Sequence, residues 1–338
     1  MDKKERLDLI RRGTVEILTD ADLEKLLDEK KQISAYIGRA TTGPLHLGHL
    51  IAISKVLDLQ KAGVTVKILL ADIHAALDDL KSRWEDLSRR AEYTRKCIEL
   101  AFDWQKKPIF VRGSDFETSR EYSMDILKMS TISTVDRAMR AASEVTRMKN
   151  PKVSELIYPI MQSLDEEYLG VDIQLGGRDQ RHIFTFAREY LPELGYRKRV
   201  EIMTPLVASL QGPGSKMSSS MPESHIKVYD SEESIRRKIA RAYCPEGVVE
   251  ENSILQMAQF LVFPVQSSMT IERQEKFGGR LVLNSYAELE AVFREKKLHP
   301  ADLKASIADI LIKRLKPAHE YFDKNKDILR ELGSEFLP

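Results

Sequence analysis

The sequence has few cysteines and no long apolar run, and its positive and negative charges almost cancel. Only two cysteines, Cys97 and Cys244, occur in 338 residues. They are far apart and lack metal-ligand spacing, so we expect neither a disulfide framework nor a metal site. No apolar stretch approaches the ~20 residues of a membrane span, and the first residues lack the pattern of a secretory signal. These absences favour a cytoplasmic protein with no membrane partner.

The formal net charge of +1 neither requires nor excludes a polyanionic partner, because nucleic-acid binding depends on local clusters of Lys and Arg. Such clusters occur at residues 137–152, 197–199 and 236–241. Each of them alone is better explained as a solvated helix face. With 42% hydrophobic and 31% charged residues, the composition is that of an ordinary globular protein.

The length exceeds what one hydrophobic core usually organises, so we expect two domains. An apolar run at 33–38, a helical pattern at about 46–61 and a β-branched run at 64–71 indicate a strand, a helix and a parallel strand. We therefore predict an α/β fold: a doubly wound, parallel-sheet, Rossmann-like domain over 1–230, with a helical insertion at about 113–160, and a smaller, mainly helical domain over 231–338.

The rest of the first domain continues this alternation. The predicted elements are a helix at about 84–103, a strand at 109–111, helices at about 120–147, a strand at 171–175, a helix at about 179–190, a short apolar segment at 200–203 and a loop at 211–215.

The segment His46-Leu47-Gly48-His49 lies at the predicted start of a helix. The two histidines at i and i+3 share one face near the positive end of the helix dipole, where phosphate binds favourably. Gly48 leaves room on that face for a flat base. Taken alone, the pair is also compatible with two partly buried surface histidines.

The segment Lys216-Met217-Ser218-Ser219-Ser220 follows the predicted loop, whose two glycines and one proline suit a mobile hinge. A lysine there can reach the charge of a departing pyrophosphate, and the serines can donate to phosphate oxygens. Taken alone, the segment is also compatible with a polar linker.

In this order and at this separation, the two segments resemble the signature motifs of class I aminoacyl-tRNA synthetases. Three further segments resemble tyrosyl-tRNA synthetases of archaea and eukaryotes: Tyr158-Pro159-Ile160-Met161-Gln162, Leu164-Asp165-Glu166-Glu167-Tyr168-Leu169-Gly170-Val171-Asp172 and Gly176-Gly177-Arg178-Asp179-Gln180-Arg181. The similarity covers nearly the whole chain. It implies activation of L-tyrosine by ATP with Mg²⁺, transfer to tRNA(Tyr), a homodimer, and no tightly bound cofactor. The first domain would then be catalytic and the second would bind the anticodon.

The resemblance also implies roles for individual residues. These are catalytic His46, His49 and Lys216; tyrosine-binding Tyr36, Tyr158, Gln162, Asp165, Gln180 and His74; ATP-binding Thr41, Gly48, Met217, Ser218 and Ser219; and tRNA-binding Phe277, His299, Asp302, Arg140 and Arg181.

The spacing of Tyr158, Gln162 and Asp165 places them on one face of a helix. Asp165 could accept a hydrogen bond from a substrate phenol. The alternatives are that Tyr158 and Phe277 are core residues, that Asp165 is a surface carboxylate, and that His299 neighbours a helix cap. Glu117 departs from the pattern, since many relatives carry glutamine there.

Two competing functions share these features. A tryptophanyl-tRNA synthetase has the same fold and signature motifs, but Tyr36 together with Asp165 favours a phenol. A related RNA-binding or splicing factor would keep the fold without needing intact signature residues.

Overall fold

The computed structural model of the chain describes residues 1–78, 80–145, 150–217 and 221–338, and at residues 215 and 216 it describes the backbone alone. The chain divides into two compact units. The first unit comprises Met1–Gly43, Asp58–Arg95 and Lys106–Pro205, and the second comprises Pro44–Leu57, Lys96–Gln105 and Leu206–Pro338. The predicted boundary near residue 230 and the helical insertion stay predictions.

The elements up to residue 204 follow the predicted alternation. In chain order they are α1 (Lys3–Arg11), β1 (Glu16–Leu18), α2 (Asp20–Glu29), β2 (Ile33–Ala40), α3 (Leu47–Lys61), β3 (Val64–Ala71), α4 (Asp72–Leu77), α5 (Leu87–Ala101), β4 (Ile109–Arg112), α6 (Arg120–Ile132), α7 (Val135–Ala142), α8 (Val153–Tyr168), β5 (Ile173–Gly177), α9 (Arg181–Tyr190) and β6 (Val200–Thr204).

Within the described part of the first unit, strands β1 to β6 form one sheet in the order β1-β6-β5-β2-β3-β4. Strands β2 to β6 run parallel to their neighbours, whereas β1 at the edge runs antiparallel to β6. The predicted α/β fold is confirmed, with one antiparallel strand that the sequence analysis did not identify.

The strand order reverses at β2, which has β3 on one side and β5 on the other. In open α/β sheets ligands bind beyond the carboxyl ends of the strands at such a reversal. Tyr36 of β2 lies opposite Gln174 of β5 in the parallel register. Helix α8 packs against α6, α7 and α9, and its buried face contributes Leu164 to the core of this unit.

The remaining elements belong to the second unit. They are β7 (Ala208–Ser209), β8 (Gly212–Lys216), α10 (Glu232–Arg241), α11 (Ser253–Met257) with a π-helical continuation (Ala258–Val262), β9 (Met269–Ile271), β10 (Leu281–Leu283), α12 (Tyr286–Arg294), α13 (Pro300–Lys324) and α14 (Lys326–Leu332).

The prediction of a loop at 211–215 was wrong, because this segment is mostly strand β8, which pairs antiparallel with β7. Gly212 has a φ of 113°, a left-handed value that glycine adopts at little cost. A tight turn into a paired strand is therefore possible at a position where the composition indicated only a loop.

The last residues of the chain are held by side chains from the segment before α10. Lys227 Nζ donates to the carbonyl oxygen of Glu335 at 2.9 Å, and the Tyr229 hydroxyl donates to that of Phe336 at 2.6 Å. Phe336 is fully buried. Among the helices in the described ranges, none combines the length and the apolar character needed to cross a bilayer.

Candidate active site

Tyr36 lies on the central strand β2 and its side chain is fully buried. Its hydroxyl donates to the carbonyl oxygen of Gln162 at 3.2 Å and accepts a hydrogen bond from Gln174 Nε2. A hydroxyl has one proton and two lone pairs. One lone pair of the oriented Tyr36 oxygen therefore stays available to a ligand.

Helix α8 carries Tyr158, Gln162 and Asp165, and all three are linked to the other predicted tyrosine-binding residues. Gln162 Nε2 donates to Gln180 Oε1 at 3.0 Å. The Tyr158 ring meets the His74 ring edge-on at 4.7 Å. The structure thus brings these six residues together in the first unit, although their role in binding tyrosine stays a prediction.

His74 lies between two buried carboxyl groups. Its Nδ1 is 3.5 Å from Glu117 Oε1, and its Nε2 is 3.7 Å from Asp165 Oδ2. Burial lowers the pKa of His74, but the surrounding carboxylates, led by Glu117, outweigh burial and raise the pKa to about 9. For Asp165, burial raises the pKa and Glu117 adds to the rise.

Two side chains of this cluster were missed by the sequence analysis. The Tyr122 hydroxyl on α6 lies 2.8 Å from Asp165 Oδ1, and Gln174 positions the Tyr36 hydroxyl. A polar Gln174 inside an apolar strand was a usable signal, since buried polar groups need partners. Tyr122 carries no such signal, because its partner is 43 residues away in sequence.

Glu117 belongs to this buried cluster. Its side chain is almost fully buried, at 3% exposure, and its Oε1 faces His74 Nδ1. The sequence alone did not indicate this contact between Glu117 and His74.

In the second unit, the signature segment begins helix α3 as predicted. The rings of His46 and His49 stack with centroids 3.7 Å apart, which confirms that they share a face. The backbone N–H of Gly48 donates to His46 Nδ1 at 3.2 Å. A Cβ at position 48 would lie 3.0 Å from His46 Cε1 and 3.2 Å from Met217 Cβ. A side chain there would crowd this face, as the sequence indicated.

The short distance from a Cβ at Gly48 to Met217 Cβ shows that Met217 lies beside the histidine segment. His225, which the sequence analysis did not single out, lies with its ring 4.7 Å from that of His46. The predicted ATP-binding residues Ser218 and Ser219 lie outside the described residues, and so does the side chain of Lys216. Thr41, in the first unit, is buried at 2% exposure.

The predicted tRNA-binding residues differ in their surroundings. Phe277 is 59% exposed, and Lys276 Nζ lies 4.8 Å from its ring centroid. His299 caps α13, with Nδ1 accepting from Ala301 N at 3.1 Å, and Asp302 lies in the first turn. Phe277 is therefore not a core residue, and His299 is itself a helix cap.

The two arginines proposed for tRNA lie in the first unit. Arg140 is exposed on α7. Arg181 forms a forked ion pair with Glu16, with Nε to Oε2 at 2.8 Å and Nη2 to Oε1 at 2.9 Å. Their contacts with tRNA stay predictions.

Comparison with known proteins supplies the family. The chain matches the family of tRNA synthetases class I (W and Y) over residues 28–316. It is 44% identical to the tyrosine–tRNA ligase of Methanococcoides burtonii, covering 94% of this chain and 100% of that relative. It is 41% identical to the cytoplasmic tyrosine–tRNA ligase of Gallus gallus, covering 99% of this chain and 64% of that protein.

Solved structures agree with the sequence comparison. The crystal structure of tyrosyl-tRNA synthetase from Archaeoglobus fulgidus, complexed with L-tyrosine, superposes with a TM-score of 0.90 at 42% identity, covering 94% of this chain and 99% of that one. A tryptophanyl-tRNA synthetase from Aeropyrum pernix, at 19% identity and a TM-score of 0.70, shares the fold. The chain belongs to the tyrosine–tRNA ligase family of class I tRNA synthetases.

Proposed function

We propose that this protein activates L-tyrosine with ATP and transfers the tyrosyl group to tRNA(Tyr). The observation that supports this most directly is a cluster of buried polar side chains in the first unit. There the Tyr36 hydroxyl is oriented by two hydrogen bonds, and Asp165 carries an Oδ2 atom that has no hydrogen-bond partner among the described residues.

A substrate phenol suits these two groups. Its proton can be donated to Asp165, and its oxygen can accept the Tyr36 proton when that proton turns from the Gln162 carbonyl toward the ligand. Phenylalanine lacks the hydroxyl and would leave buried polar groups unpaired, at a cost of ~1–3 kcal/mol for each group. The pocket would therefore reject phenylalanine at the binding and activation step.

In the activation step, a carboxylate oxygen of tyrosine attacks the α-phosphorus of ATP. A new C–O–P linkage forms, the bond from the α-phosphorus to the bridging oxygen breaks, and pyrophosphate leaves with the electron pair. No protein nucleophile is needed, because positioning and charge stabilisation lower the barrier. Mg²⁺ enters bound to ATP as part of the substrate.

The second unit supplies the proposed phosphate-binding residues. His46 and His49 present one stacked face at the start of α3, where helix N–H groups favour anions. Gly48 keeps that face open, and Lys216 would neutralise the departing pyrophosphate together with Ser218 and Ser219. Thr41 and Met217 complete the proposed ATP-binding set.

In the transfer step, the 2′- or 3′-hydroxyl of the terminal adenosine of tRNA attacks the adenylate carbonyl and releases AMP. Phe277 could stack on an unpaired base, while His299 and Asp302 could bind its edge. Arg140 and Arg181 are proposed contacts for the acceptor end.

We further propose a homodimer that works in the cytoplasm. Four apolar side chains along α6 and the start of α7 are strongly exposed: Met124 (47%), Leu127 (61%), Ile132 (42%) and Val135 (62%). Monomeric proteins seldom expose large apolar patches, so this surface suits a second copy of the chain. Relatives such as that of Gallus gallus are named cytoplasmic.

ATP–pyrophosphate exchange measured with tyrosine, tryptophan and phenylalanine tests this function against both competing functions. Tyrosine should support rapid exchange, and the other two amino acids should support little. Lys216→Ala should abolish the signal while the protein stays folded. A tryptophan preference would indicate the tryptophan enzyme, and no exchange with any amino acid would indicate an RNA-binding protein.

A further inference from the structure

The cluster around His74 contains more polar atoms than one substrate phenol can satisfy. His74, Glu117 and Asp165 are all at least 97% buried, at 1%, 3% and 1% exposure. Among the described residues, both ring nitrogens of His74, both oxygens of Glu117 and Oδ2 of Asp165 have no hydrogen-bond partner of normal length. A single hydroxyl, with one proton and two lone pairs, cannot pair all five atoms.

The two ring nitrogens of His74 face different carboxyl groups. Nδ1 points to Glu117 at 3.5 Å and Nε2 points to Asp165 at 3.7 Å. A neutral imidazole carries one N–H and can donate to only one of them, whereas an imidazolium carries two. Buried carboxylates are costly unless a cation pairs with them. The arrangement therefore fits a bridging cation.

A metal ion is the competing explanation, because one ligand atom from each of the three residues lies within 4.8 Å of the others. A single ion would bind only one of the two ring nitrogens. The other nitrogen would still face a carboxyl group that the ion does not bind. The opposed directions of Nδ1 and Nε2 favour a proton at each nitrogen over one metal.

The surroundings hold the two carboxyl groups in place. Glu117 folds back over Gly113, where even a Cβ would lie 2.4 Å from Glu117 Oε1. Asp165 Oδ1 contacts the Tyr122 hydroxyl at 2.8 Å, so Oδ2 is turned toward His74. Glycine at position 113 is thus required for the Glu117 side chain to take this position.

The other groups that face His74 do not compete for its protons. Asp72 lies on the same helix, and its carboxylate accepts from Ser114 N at 2.9 Å and from Ser114 Oγ at 2.7 Å. Tyr158 meets the His74 ring edge-on. The carboxylates around His74 raise its pKa to about 9 in spite of burial, in agreement with the geometry.

We propose that Glu117 holds His74 as an imidazolium, and that this cation orients Asp165 as the acceptor for the substrate phenol. Glu117 is then a positioning residue that acts through His74. This inference rests on the proposed function, because the phenol is the group that Asp165 receives.

Glu117→Gln tests the inference by removing one charge with little change of shape. With one carboxylate fewer, His74 should lose its proton at lower pH. The wild-type KM for tyrosine in ATP–pyrophosphate exchange should rise at alkaline pH, where His74 loses its proton. In Glu117→Gln the rise should begin lower by about one pH unit or more, and kcat at saturating tyrosine should change less than about threefold.

Glu121→Gln provides the matched control, since Glu121 is exposed in the first turn of α6. Its KM profile should coincide with that of the wild type. His74→Asn should show a raised KM without the pH-dependent rise. A Glu117→Gln profile that runs parallel to the wild type at every pH would overturn the inference.

Direct observation of His74 keeps the test valid if Glu117→Gln does not fold or if tyrosine is not the substrate. In ¹⁵N-histidine-labelled wild-type protein at pH 7.5, both His74 nitrogens should show protonated shifts, assigned by their loss in His74→Asn. A single protonated nitrogen would overturn the inference independently of any activity.

Chelator dialysis followed by restored Mg²⁺ should leave KM unchanged, and a lasting rise in KM would establish the metal site instead.

Discussion

At the scale of single residues, the pocket depends on buried polar groups that position one another. Tyr36 receives its orientation from the Gln162 carbonyl and the Gln174 amide, and Asp165 receives its orientation from Tyr122. Because these protein groups are already fixed, little entropy is lost in ordering them when a ligand hydroxyl binds, which is the basis of preorganised recognition.

Tyr36→Phe should weaken the preference for tyrosine over phenylalanine. The variant removes the hydroxyl and leaves the Gln174 amide buried without its partner. The ratio of the two kcat/KM values in ATP–pyrophosphate exchange should fall about 5- to 150-fold, which corresponds to ~1–3 kcal/mol for one lost hydrogen-bonding group.

Tyr190→Phe is the control, because Tyr190 packs against Phe186 on α9 with ring centroids 4.5 Å apart and is not part of the pocket. It should leave the preference unchanged. An unaltered preference in Tyr36→Phe would contradict the assignment of Tyr36 to the phenol.

The sequence identified most of the proposed pocket but not the residues that support it. Helical spacing linked Tyr158, Gln162 and Asp165, since a helix repeats every 3.6 residues. The pairing of Tyr36 with Gln174 depends on the register of two strands that are far apart in sequence. No local pattern encodes that register, so tertiary structure was needed to find it.

At the scale of elements, α8 and β6 bring two further carboxyl groups together in the core. Glu166 on α8 and Glu201 on β6 are both fully buried. Burial raises the pKa of Glu201 to about 9, and Glu166 adds to the rise by repulsion. Arg188 donates to Glu201 Oε2 at 3.0 Å and opposes the shift.

This pair should make the protein less stable at high pH. Between the ordinary glutamate value near 4.5 and the raised value near 9, the folded state keeps a proton that the unfolded state has released. The free energy of unfolding therefore falls as pH rises through this range. Glu201→Gln, which is neutral at every pH, should lose less thermal stability between pH 6 and pH 9, by ~2–4 °C or more.

Calorimetry or circular dichroism at the two pH values measures the difference. Glu193→Gln, an exposed change in the same unit, should follow the wild type. Equal losses of thermal stability in Glu201→Gln and in the wild type would show that Glu201 carries no proton in the folded state.

The sequence predicted most elements of the sheet because parallel strands are buried and read as apolar runs. The predicted strand at 64–71 coincides with β3, whereas the strand predicted at 171–175 is found at Ile173–Gly177. Hairpin β7–β8 escaped prediction, since Gly212-Pro213-Gly214 has the composition of a loop. Its pairing depends on tertiary contacts that the amino-acid composition does not indicate.

At the scale of the whole molecule, the apolar surface on α6 and α7 makes a prediction about assembly. Leu127→Glu places a charge in the proposed dimer interface, where desolvation would be costly. Light scattering at micromolar concentration should give a dimer for the wild type and a smaller mass for the variant. The exposed change Lys324→Glu, at the end of α13, should stay dimeric. A wild-type monomer would exclude the homodimer.

The two proposed steps of the reaction should be separable by mutation, because the residues proposed for tyrosine and for the anticodon belong to different compact units. Phe277 is exposed in the second unit with Lys276 over its ring. Stacking of one base on an aromatic ring contributes ~1–3 kcal/mol. Phe277→Ala should therefore raise KM for tRNA about 5- to 150-fold in aminoacylation, while ATP–pyrophosphate exchange with tyrosine stays at the wild-type rate.

Val282→Ala is the matched control, since Val282 on β10 is a similarly exposed apolar residue at 46% with no proposed base contact. Both of its activities should equal those of the wild type. Equal losses of exchange and aminoacylation in Phe277→Ala would mean that the residue supports folding, and unchanged aminoacylation would mean that no base stacks on it. Only a selective loss of the second step fits a base-reading role, because tyrosine activation proceeds without tRNA in the proposed reaction.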